Sequence, residues 1–210
     1  MKNLYLALFI FFPGFFIFSP EAEAQDTLVI FNGKTLDGWI ETDFYGKGKV
    51  NVKDGAIILG KGDILTGISY LNIDDLVWDN YEVTLEAMRM EGNDFFCGLT
   101  FPVKGSFCTL VLGGWGGSVV GLSSIDGYDA ANNFTGDTRS FENNKWYNIR
   151  LRVSNDKIEA WINPMDKIVD FRIGTYKLSL RSEVEISAPL GIAAYQTVGA
   201  IRNIKLIKFE

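Results

Sequence analysis

The chain has 210 residues, a net charge of −6 and no histidine. The acidic balance argues against nucleic acid as a partner, because a phosphate backbone is bound through basic surface. The absence of histidine excludes a Ser-His-Asp triad, a histidine-ligated zinc ion and a histidine general base. Any catalysis must therefore use carboxylates, Tyr, Lys, Arg or a metal held by oxygen ligands.

The first 24 residues have the pattern of a signal peptide. Lys2 precedes a nearly continuous apolar run over residues 4–18, and the small residues Ala22 and Ala24 suit a signal peptidase. The run is too short to span a bilayer comfortably. We expect cleavage after Ala24, export to the periplasm or the extracellular space, and no membrane contact afterwards. A retained membrane anchor is the alternative. The remaining residues, 25–210, suit one domain with a sizeable core.

Two tight turns follow the apolar run at residues 28–31. Asn32-Gly33 and Asp37-Gly38 both favour turns, because Gly accepts a positive φ and Asn or Asp can bond nearby backbone. Trp39 comes directly after the second turn. The segment predicts a strand, a compact turn and a Trp anchored behind it.

Most of the chain alternates between apolar and polar residues with a period of two, which is typical of half-buried strands. The clearest runs cover residues 81–87, 146–153, 157–162 and 201–209. Turn pairs such as Asp54-Gly55 and Lys104-Gly105 separate such runs. The pattern predicts an all-β fold, an antiparallel β-sandwich with its first and last strands paired or adjacent. The side chains that we expect to be largely buried are Trp39, Tyr147, Ile149, Trp161, Ile201 and Ile204.

The two cysteines, Cys97 and Cys108, fall on either side of the predicted Lys104-Gly105 hairpin. A two-residue loop would put Phe101 opposite Cys108 and Cys97 opposite Leu112, too far apart for a disulfide. A different register would bring the two sulfurs together. Export permits a disulfide, so both outcomes stay open.

The glycine-rich run around Trp115 is the first candidate binding site. Four glycines, Gly113, Gly114, Gly116 and Gly117, leave its ring uncrowded. An exposed Trp offers a flat apolar surface for a sugar ring, and Tyr128 follows shortly after. We therefore expect Trp115, Tyr128, Gly114 and Gly116 to bind a carbohydrate. The alternative is a β-bulge or hairpin whose Trp folds back onto the core.

An oxygen-rich cluster follows this run. Asp126, Asp129 and Asn132 offer the hard ligands that calcium prefers, so a divalent, calcium-like ion is one prediction. Their spacing does not match the EF-hand loop. A solvated loop with Asx turns is the competing interpretation.

Four segments carry a resemblance to a known family. They are residues 31–39, 145–150, 157–163 and 200–206, and they resemble the 3-keto-disaccharide hydrolase family, also described as 3-keto-glycoside lyase/hydratase domains. The resemblance spans nearly the whole chain after the leader. It implies a jelly roll of the concanavalin-like lectin/glucanase type, a keto-sugar ligand at a concave outer face, and cleavage or hydration of 3-keto-glycosides.

Keto-sugar chemistry needs one base and a positive group or metal near the enolate oxygen. Asp126, Asp129 and Glu86 are candidate bases. Arg139, Arg150 and Arg89 are candidates to hold the enolate.

A two-carboxylate glycosidase has little support. Glu82 and Glu86 would lie roughly 13 Å apart on one strand face, beyond the roughly 5 to 9.5 Å such enzymes use. Glu183 and Glu185 would lie about 6.6 Å apart if extended and could form a pair, but two adjacent surface glutamates are the favoured interpretation.

The middle of the chain departs from the family. Many members carry an Arg after an Asn-Ser-Gly and aromatic run, and Pro102 stands here instead. The usual polar residues are thus missing or moved. An enzyme, a non-catalytic carbohydrate-binding module and a structural interaction domain all remain hypotheses, since a fold alone does not fix a function.

Overall fold

The computed structural model describes residues 25–209, which form two antiparallel sheets. Strands are numbered in chain order. The first sheet contains β1 (Gln25–Val29), β3 (Val50–Lys53), β4 (Ala56–Leu59), β6 (Tyr81–Glu91), β11 (Trp146–Ser154), β12 (Lys157–Ile162), β13 (Asp166–Arg172) and β15 (Val198–Phe209). The second contains β2 (Trp39–Glu41), β5 (Leu65–Tyr70), β7 (Cys97–Val103), β8 (Ser106–Gly113), β9 (Val119–Ser123), β10 (Asp137–Thr138) and β14 (Gly191–Tyr195).

The order of the strands joins distant parts of the chain. The first sheet runs β13-β12-β11-β6-β15-β4-β3, and β1 also pairs with β15. The second runs β10-β9-β8-β7-β14-β5-β2. The predicted pairing of the first and last strands is confirmed, with Leu28 opposite Leu206. Among residues 25–209, helical structure is limited to short segments at Ile73–Asp75, Gly114–Gly117 and Ser182–Ser187.

The core lies between the two sheets, and alternation puts the apolar residues there. On β11, Tyr147, Ile149, Leu151 and Val153 are buried while the residues between them face outward. The predicted all-β antiparallel sandwich is therefore confirmed. The outward-facing side chains of each sheet are therefore the ones that can line a ligand-binding site.

The predicted turns form where glycine can take a positive φ. Lys104 and Gly105 have φ values of 46° and 72°, so β7 and β8 form a two-residue hairpin. This register puts Cys97 opposite Leu112 and Cys108 opposite Phe101. Both cysteines are free and buried, and the alternative of a disulfide is not realised.

The segment before Trp39 forms the predicted compact turn. Asn32 Oδ1 accepts hydrogen bonds from the amides of Lys34 and Thr35, at 2.7 and 2.9 Å. Trp39 is buried against Tyr70, with ring centroids 5.1 Å apart, and its indole N–H donates to the carbonyl of Ile30 at 2.6 Å. The predicted compact turn and the predicted anchoring of Trp39 are both confirmed.

Two details of the predicted pattern are wrong. Trp161 is only half-buried, because Ile158, Ala160 and Ile162 take the inward positions of β12 and leave Trp161 on the outer face. Strict alternation also fails in β15. Asn203 has a φ of 55° within a break in register, so that Ile201 and Ile204 both face the core.

The predicted leader, residues 1–24, lies outside the described residues. Within residues 25–209, no helix has the length and apolar character needed to cross a bilayer.

Candidate functional site

A cavity of about 260 Å³ lies on the outer face of the second sheet. Its floor includes Thr109 and Val111 of β8 and Ser123 of β9. On β8 the alternate residues Leu110 and Leu112 point into the core, so Thr109 and Val111 face outward. The volume is slightly below the roughly 300–1,000 Å³ typical of small-molecule sites. The cavity is thus of a size for about one sugar ring.

Aromatic and charged side chains surround this floor. The aromatic ones are Phe95, Trp115 and Tyr195, and the charged ones are Asp94, Arg181 and Glu183. Phe95 and Tyr195 contact each other in a tilted arrangement, with ring centroids 5.8 Å apart. The cavity therefore combines flat apolar faces with both signs of charge, which is the mixture that a polar ring compound needs.

Trp115 sits at the tip of the turn between β8 and β9. The backbone there is left-handed: φ is 78° at Gly113, 49° at Trp115 and 87° at Gly116. Glycine tolerates this conformation, which explains the glycine-rich sequence. Asp94 Oδ2 accepts a hydrogen bond from the Gly116 amide at 3.2 Å and so ties the turn to the cavity wall.

The ring of Trp115 is 42% exposed, so it does not fold back onto the core. Gly114 is buried, and a Cβ there would come within 2.9 Å of Val111. Gly116 is exposed. Neither of the two predicted glycines lines the cavity. Gly114 and Gly116 instead allow the backbone turn that positions Trp115.

Arg181 and Glu183 form the charged wall. Arg181 Nη2 lies 2.8 Å from Glu183 Oε1, and Nη1 lies 2.8 Å from Asp129 Oδ2. The hydrogen bond from Arg181 lowers the pKa of Glu183 to about 2. Glu183 is therefore ionised at neutral pH. One guanidinium thus serves two carboxylates, of which Glu183 lines the cavity and Asp129 does not.

Ser123 contributes an unpaired polar group to the floor. Its side chain is 2% exposed, and its Oγ has no hydrogen-bond partner within the described part of the chain. A buried hydroxyl without a partner costs about 1–3 kcal/mol. A ligand hydroxyl or carbonyl in the cavity would satisfy it.

Arg181 reaches the cavity through pairing between two distant loops. Ser124 N donates to Ser179 O at 2.8 Å, and Asp126 N donates to Lys177 O at 2.8 Å. Asp126 Oδ1 accepts a hydrogen bond from Lys177 N, also at 2.8 Å. These contacts hold the segment before Arg181 beside the end of β9.

The predicted site residues are divided by this arrangement. Trp115 lines the cavity, and Asp129 contacts it through Arg181. Asp126 fastens the loop to Lys177, and Tyr128 is 61% exposed, with neither lining the cavity. Asn132 donates to Asp129 at 2.8 Å.

Three further predicted residues lie elsewhere. Arg139 forms ion pairs with Asp137 and Asp166 at 2.6 and 2.8 Å. Glu86 and Arg150 line a second cavity, on the outer face of the first sheet. The structure therefore does not bring Glu86, Arg139 and Arg150 together with Trp115.

The two carboxylates of the predicted calcium-like site are engaged with protein donors. Asp126 is bonded to Lys177, and Asp129 to Arg181, Ala131 and Asn132. Among residues 25–209, no three His, Cys, Asp or Glu side chains group closely enough to hold a metal ion. A calcium-like ion at Asp126, Asp129 and Asn132 stays a prediction, and the reaction proposed for the cavity is independent of it.

The residues that sequence reasoning missed are Asp94, Arg181 and Glu183. Glu183 and Glu185 resembled an ordinary pair of surface glutamates. The only local sequence feature that could have indicated this part of the site is the spacing of Arg181 two positions before Glu183, in a segment without regular apolar–polar alternation.

A family model matches residues 26–207, and its description is 3-keto-alpha-glucoside-1,2-lyase-like domain. This match covers nearly all of the chain after the predicted leader. It agrees with the resemblance inferred from the four sequence segments.

Solved structures share the fold at low identity. A candidate glycosyl hydrolase from Parabacteroides distasonis aligns with a TM-score of 0.56 at 14% identity, over 88% of this chain and 94% of that one. Domain 4 of AbnA, a GH43 extracellular arabinanase from Geobacillus stearothermophilus solved with arabinotriose, gives 0.52 at 15% identity over 81% and 82%. Carbohydrate-binding module CBM66 from Bacillus subtilis gives 0.50 at 13% over 80% and 94%. Comparison with curated protein sequences gave no match.

Proposed function

Because the chain belongs to the family of 3-keto-alpha-glucoside-1,2-lyase-like domains, we propose that it cleaves 3-keto-glycosides at the cavity of the second sheet. One observation carries this proposal: Trp115, Arg181 and Glu183 line the same cavity. Together they can hold a sugar ring, a developing negative oxygen and a proton.

The ketone defines where the charged groups must lie. In a 3-keto-glycoside the acidic proton is on C2 and the ketone oxygen is on the adjacent C3. A base and a cation that act on neighbouring atoms must themselves be neighbours. Arg181 and Glu183 are 2.8 Å apart, which meets this requirement. Arg181 would hold the enolate oxygen, and Glu183 would take the C2 proton.

The elimination balances without any other reagent. Glu183 removes the C2 proton, a double bond forms between C1 and C2, and the C1–oxygen bond breaks. The electron pair leaves with the glycosidic oxygen, which takes the proton back from Glu183 and departs as the aglycone alcohol, so that the carboxylate is restored. Addition of water across the new double bond then completes a net hydrolysis. Trp115 would stack on the ring and Ser123 would bond a ring oxygen from below.

A second candidate function is non-catalytic carbohydrate binding. It is favoured by the low pKa of Glu183, about 2, which the hydrogen bond from Arg181 imposes and which makes the resting carboxylate a weak base. The lyase proposal requires the substrate ketone to draw Arg181 away from Glu183 and so restore its basicity. The binding module requires no such change.

We also propose export of the chain, on the strength of its leader pattern.

The test is release of the aglycone from two matched glycosides, one with a ketone at C3 and one unoxidised. We expect turnover of the keto-glycoside alone, because without the ketone the C2 proton is too weakly acidic for one carboxylate. Glu183→Gln should abolish turnover, whereas the neighbouring Glu185→Gln should not. A chelator should change nothing.

Two results would change the conclusion. Equal turnover of both glycosides would reject elimination. No turnover of either, together with sugar binding that is lost in Trp115→Ala, would establish the binding module instead.

A further inference from the structure

A second cavity, of about 590 Å³, lies on the outer face of the first sheet, and we refer to it as the outer groove. Thr84 of β6 and Asn148 of β11 contribute to it, and Arg150 of β11 and Lys205 of β15 lie beside them. The outer groove shares no lining residue with the cavity of the second sheet. It is therefore a separate candidate site.

Two cations flank a short side chain in this groove. Lys205 pairs with Thr84 across one ladder, and Thr84 pairs with Arg150 across the next. Adjacent strands lie about 4.8 Å apart, so the two cationic residues are about 10 Å apart across the sheet. Because Thr84 is short, an anion above it would lie between these two long cationic side chains. The guanidinium carbon of Arg150 lies 3.8 Å from the centroid of the Trp161 ring, and this contact limits the motion of the side chain.

The acidic residues nearby are already engaged. Glu86 accepts from Arg202 at 2.7 Å and from Asn203 at 2.6 Å. Glu82 is 3.0 Å from Arg152 and only within 4.0 Å of Arg150. Neither carboxylate therefore competes effectively with an anionic ligand for Arg150 and Lys205.

The cations themselves are largely available. Lys205 is exposed and forms no ion pair with any side chain among the described residues. The side chain of Arg150 is 41% exposed. In a chain with a net charge of −6, this is a local excess of positive charge.

The neutral groups of the groove add hydrogen-bond donors. Asn163 Oδ1 accepts from the Asn148 amide nitrogen at 3.2 Å, which leaves the Asn163 Nδ2 as a donor. The side chains of Asn148 and Thr84 make no hydrogen bond within residues 25–209. The groove therefore offers neutral donors from Asn148, Asn163 and Thr84 beside its two cations.

We propose that the outer groove binds an acidic sugar, with its carboxylate or sulfate between Lys205 and Arg150 and its hydroxyls on Asn148 and Asn163. Anions pair well with Arg and Lys, and amide donors suit sugar hydroxyls. The proposal does not depend on the activity proposed for the other cavity.

The experiment is titration calorimetry on the protein with glucuronate, glucose 6-sulfate, glucose and sodium sulfate. Glucuronate or glucose 6-sulfate should bind, more weakly as salt rises, and glucose should bind at least about tenfold more weakly. The better of the two acidic sugars identifies the anionic group. Lys205→Gln should weaken binding by about tenfold, and Lys34→Gln, an exposed lysine in the first turn, should not.

Three outcomes would overturn the proposal. The first is that glucose or sodium sulfate binds as tightly as the acidic sugars. The second is unchanged affinity in Lys205→Gln with an unchanged melting temperature. The third is loss of binding in Trp115→Ala, which would locate the ligand in the cavity of the second sheet. Failure here leaves the aglycone assay unaffected, so the two proposals can fail separately.

Discussion

Asp129 and Arg181 lie 52 positions apart in the sequence and are joined by a hydrogen bond of 2.8 Å. Only Arg181 lines the cavity of the second sheet. The carboxylate of Asp129 is also held by Ala131 N at 3.1 Å and by Asn132 Nδ2 at 2.8 Å. Asp129 is thus a fixed support that orients the guanidinium rather than a group that meets the ligand.

Replacing Asp129 should impair the site without unfolding the chain. In Asp129→Asn the charge that holds Arg181 is lost, and we expect the catalytic efficiency on a 3-keto-glycoside to fall about tenfold or more. Asp74→Asn is the matched control, since Asp74 is exposed and does not line the cavity. Equal losses in the two variants would contradict the supporting role of Asp129.

Trp39→Ala should destabilise the fold by about 3–5 kcal/mol, because a large side chain in the core leaves a cavity when truncated. The loss includes the contact with Tyr70 and the hydrogen bond to Ile30. Urea unfolding measures the change. Trp78→Ala, at a site 47% exposed, should cost less. An unchanged midpoint in Trp39→Ala would show that the burial does not stabilise the fold.

The stability of the fold should depend on Glu183 in acid. The hydrogen bond from Arg181 lowers the pKa of Glu183 from 4.5 to about 2. A group with a depressed folded-state pKa stabilises the fold above its unfolded pKa, and this stabilisation is lost as the pH falls towards the folded value. The window is therefore about pH 4.5 down to about pH 2.

Urea unfolding of the parent chain and of Glu183→Gln, from about pH 6 to about pH 3, measures this effect. The parent should be the more stable at the upper end, and the difference should shrink towards the lower end. The difference should be modest, since the side chain is 49% exposed and solvent screens the pair. A gap between the two chains that does not change with pH would argue against the pairing.

Both cysteines should be inert in the folded chain. Burial raises the pKa of Cys97 and of Cys108 to about 12, so neither is a thiolate at neutral pH. A thiol reagent should therefore label neither residue under native conditions and both in guanidinium. Rapid native labelling would mean that the hairpin opens, and no labelling after unfolding would mean a disulfide.

The fold was predictable because its signals are local. Alternation identifies the face of β11 that Tyr147 and Ile149 share, and Lys104-Gly105 identifies a turn. Asn203 escaped prediction because a residue in a left-handed bulge shifts the alternation by one position without leaving a pattern.

The site was only half predictable for a different reason. Trp115 is recognisable in the sequence by its glycine neighbours. Arg181 and Glu183 reach the cavity only because residues 124–126 pair with residues 177–179. Such pairing between distant loops has no local sequence pattern. For the same reason, Glu86 and Arg150 could not be assigned to the opposite sheet from Trp115 without the strand order.

Arg139 has a consequence for the behaviour of the chain at high concentration. It lies next to β10, at the edge of the second sheet, and pairs with Asp166 on β13, at the edge of the first. An edge strand with free backbone groups is a template for adding a strand from another molecule. The guanidinium joins the two edges, and β13 also carries Lys167, Asp170 and Arg172. These charged side chains therefore disfavour the addition of a strand from another molecule at the β10 and β13 edges.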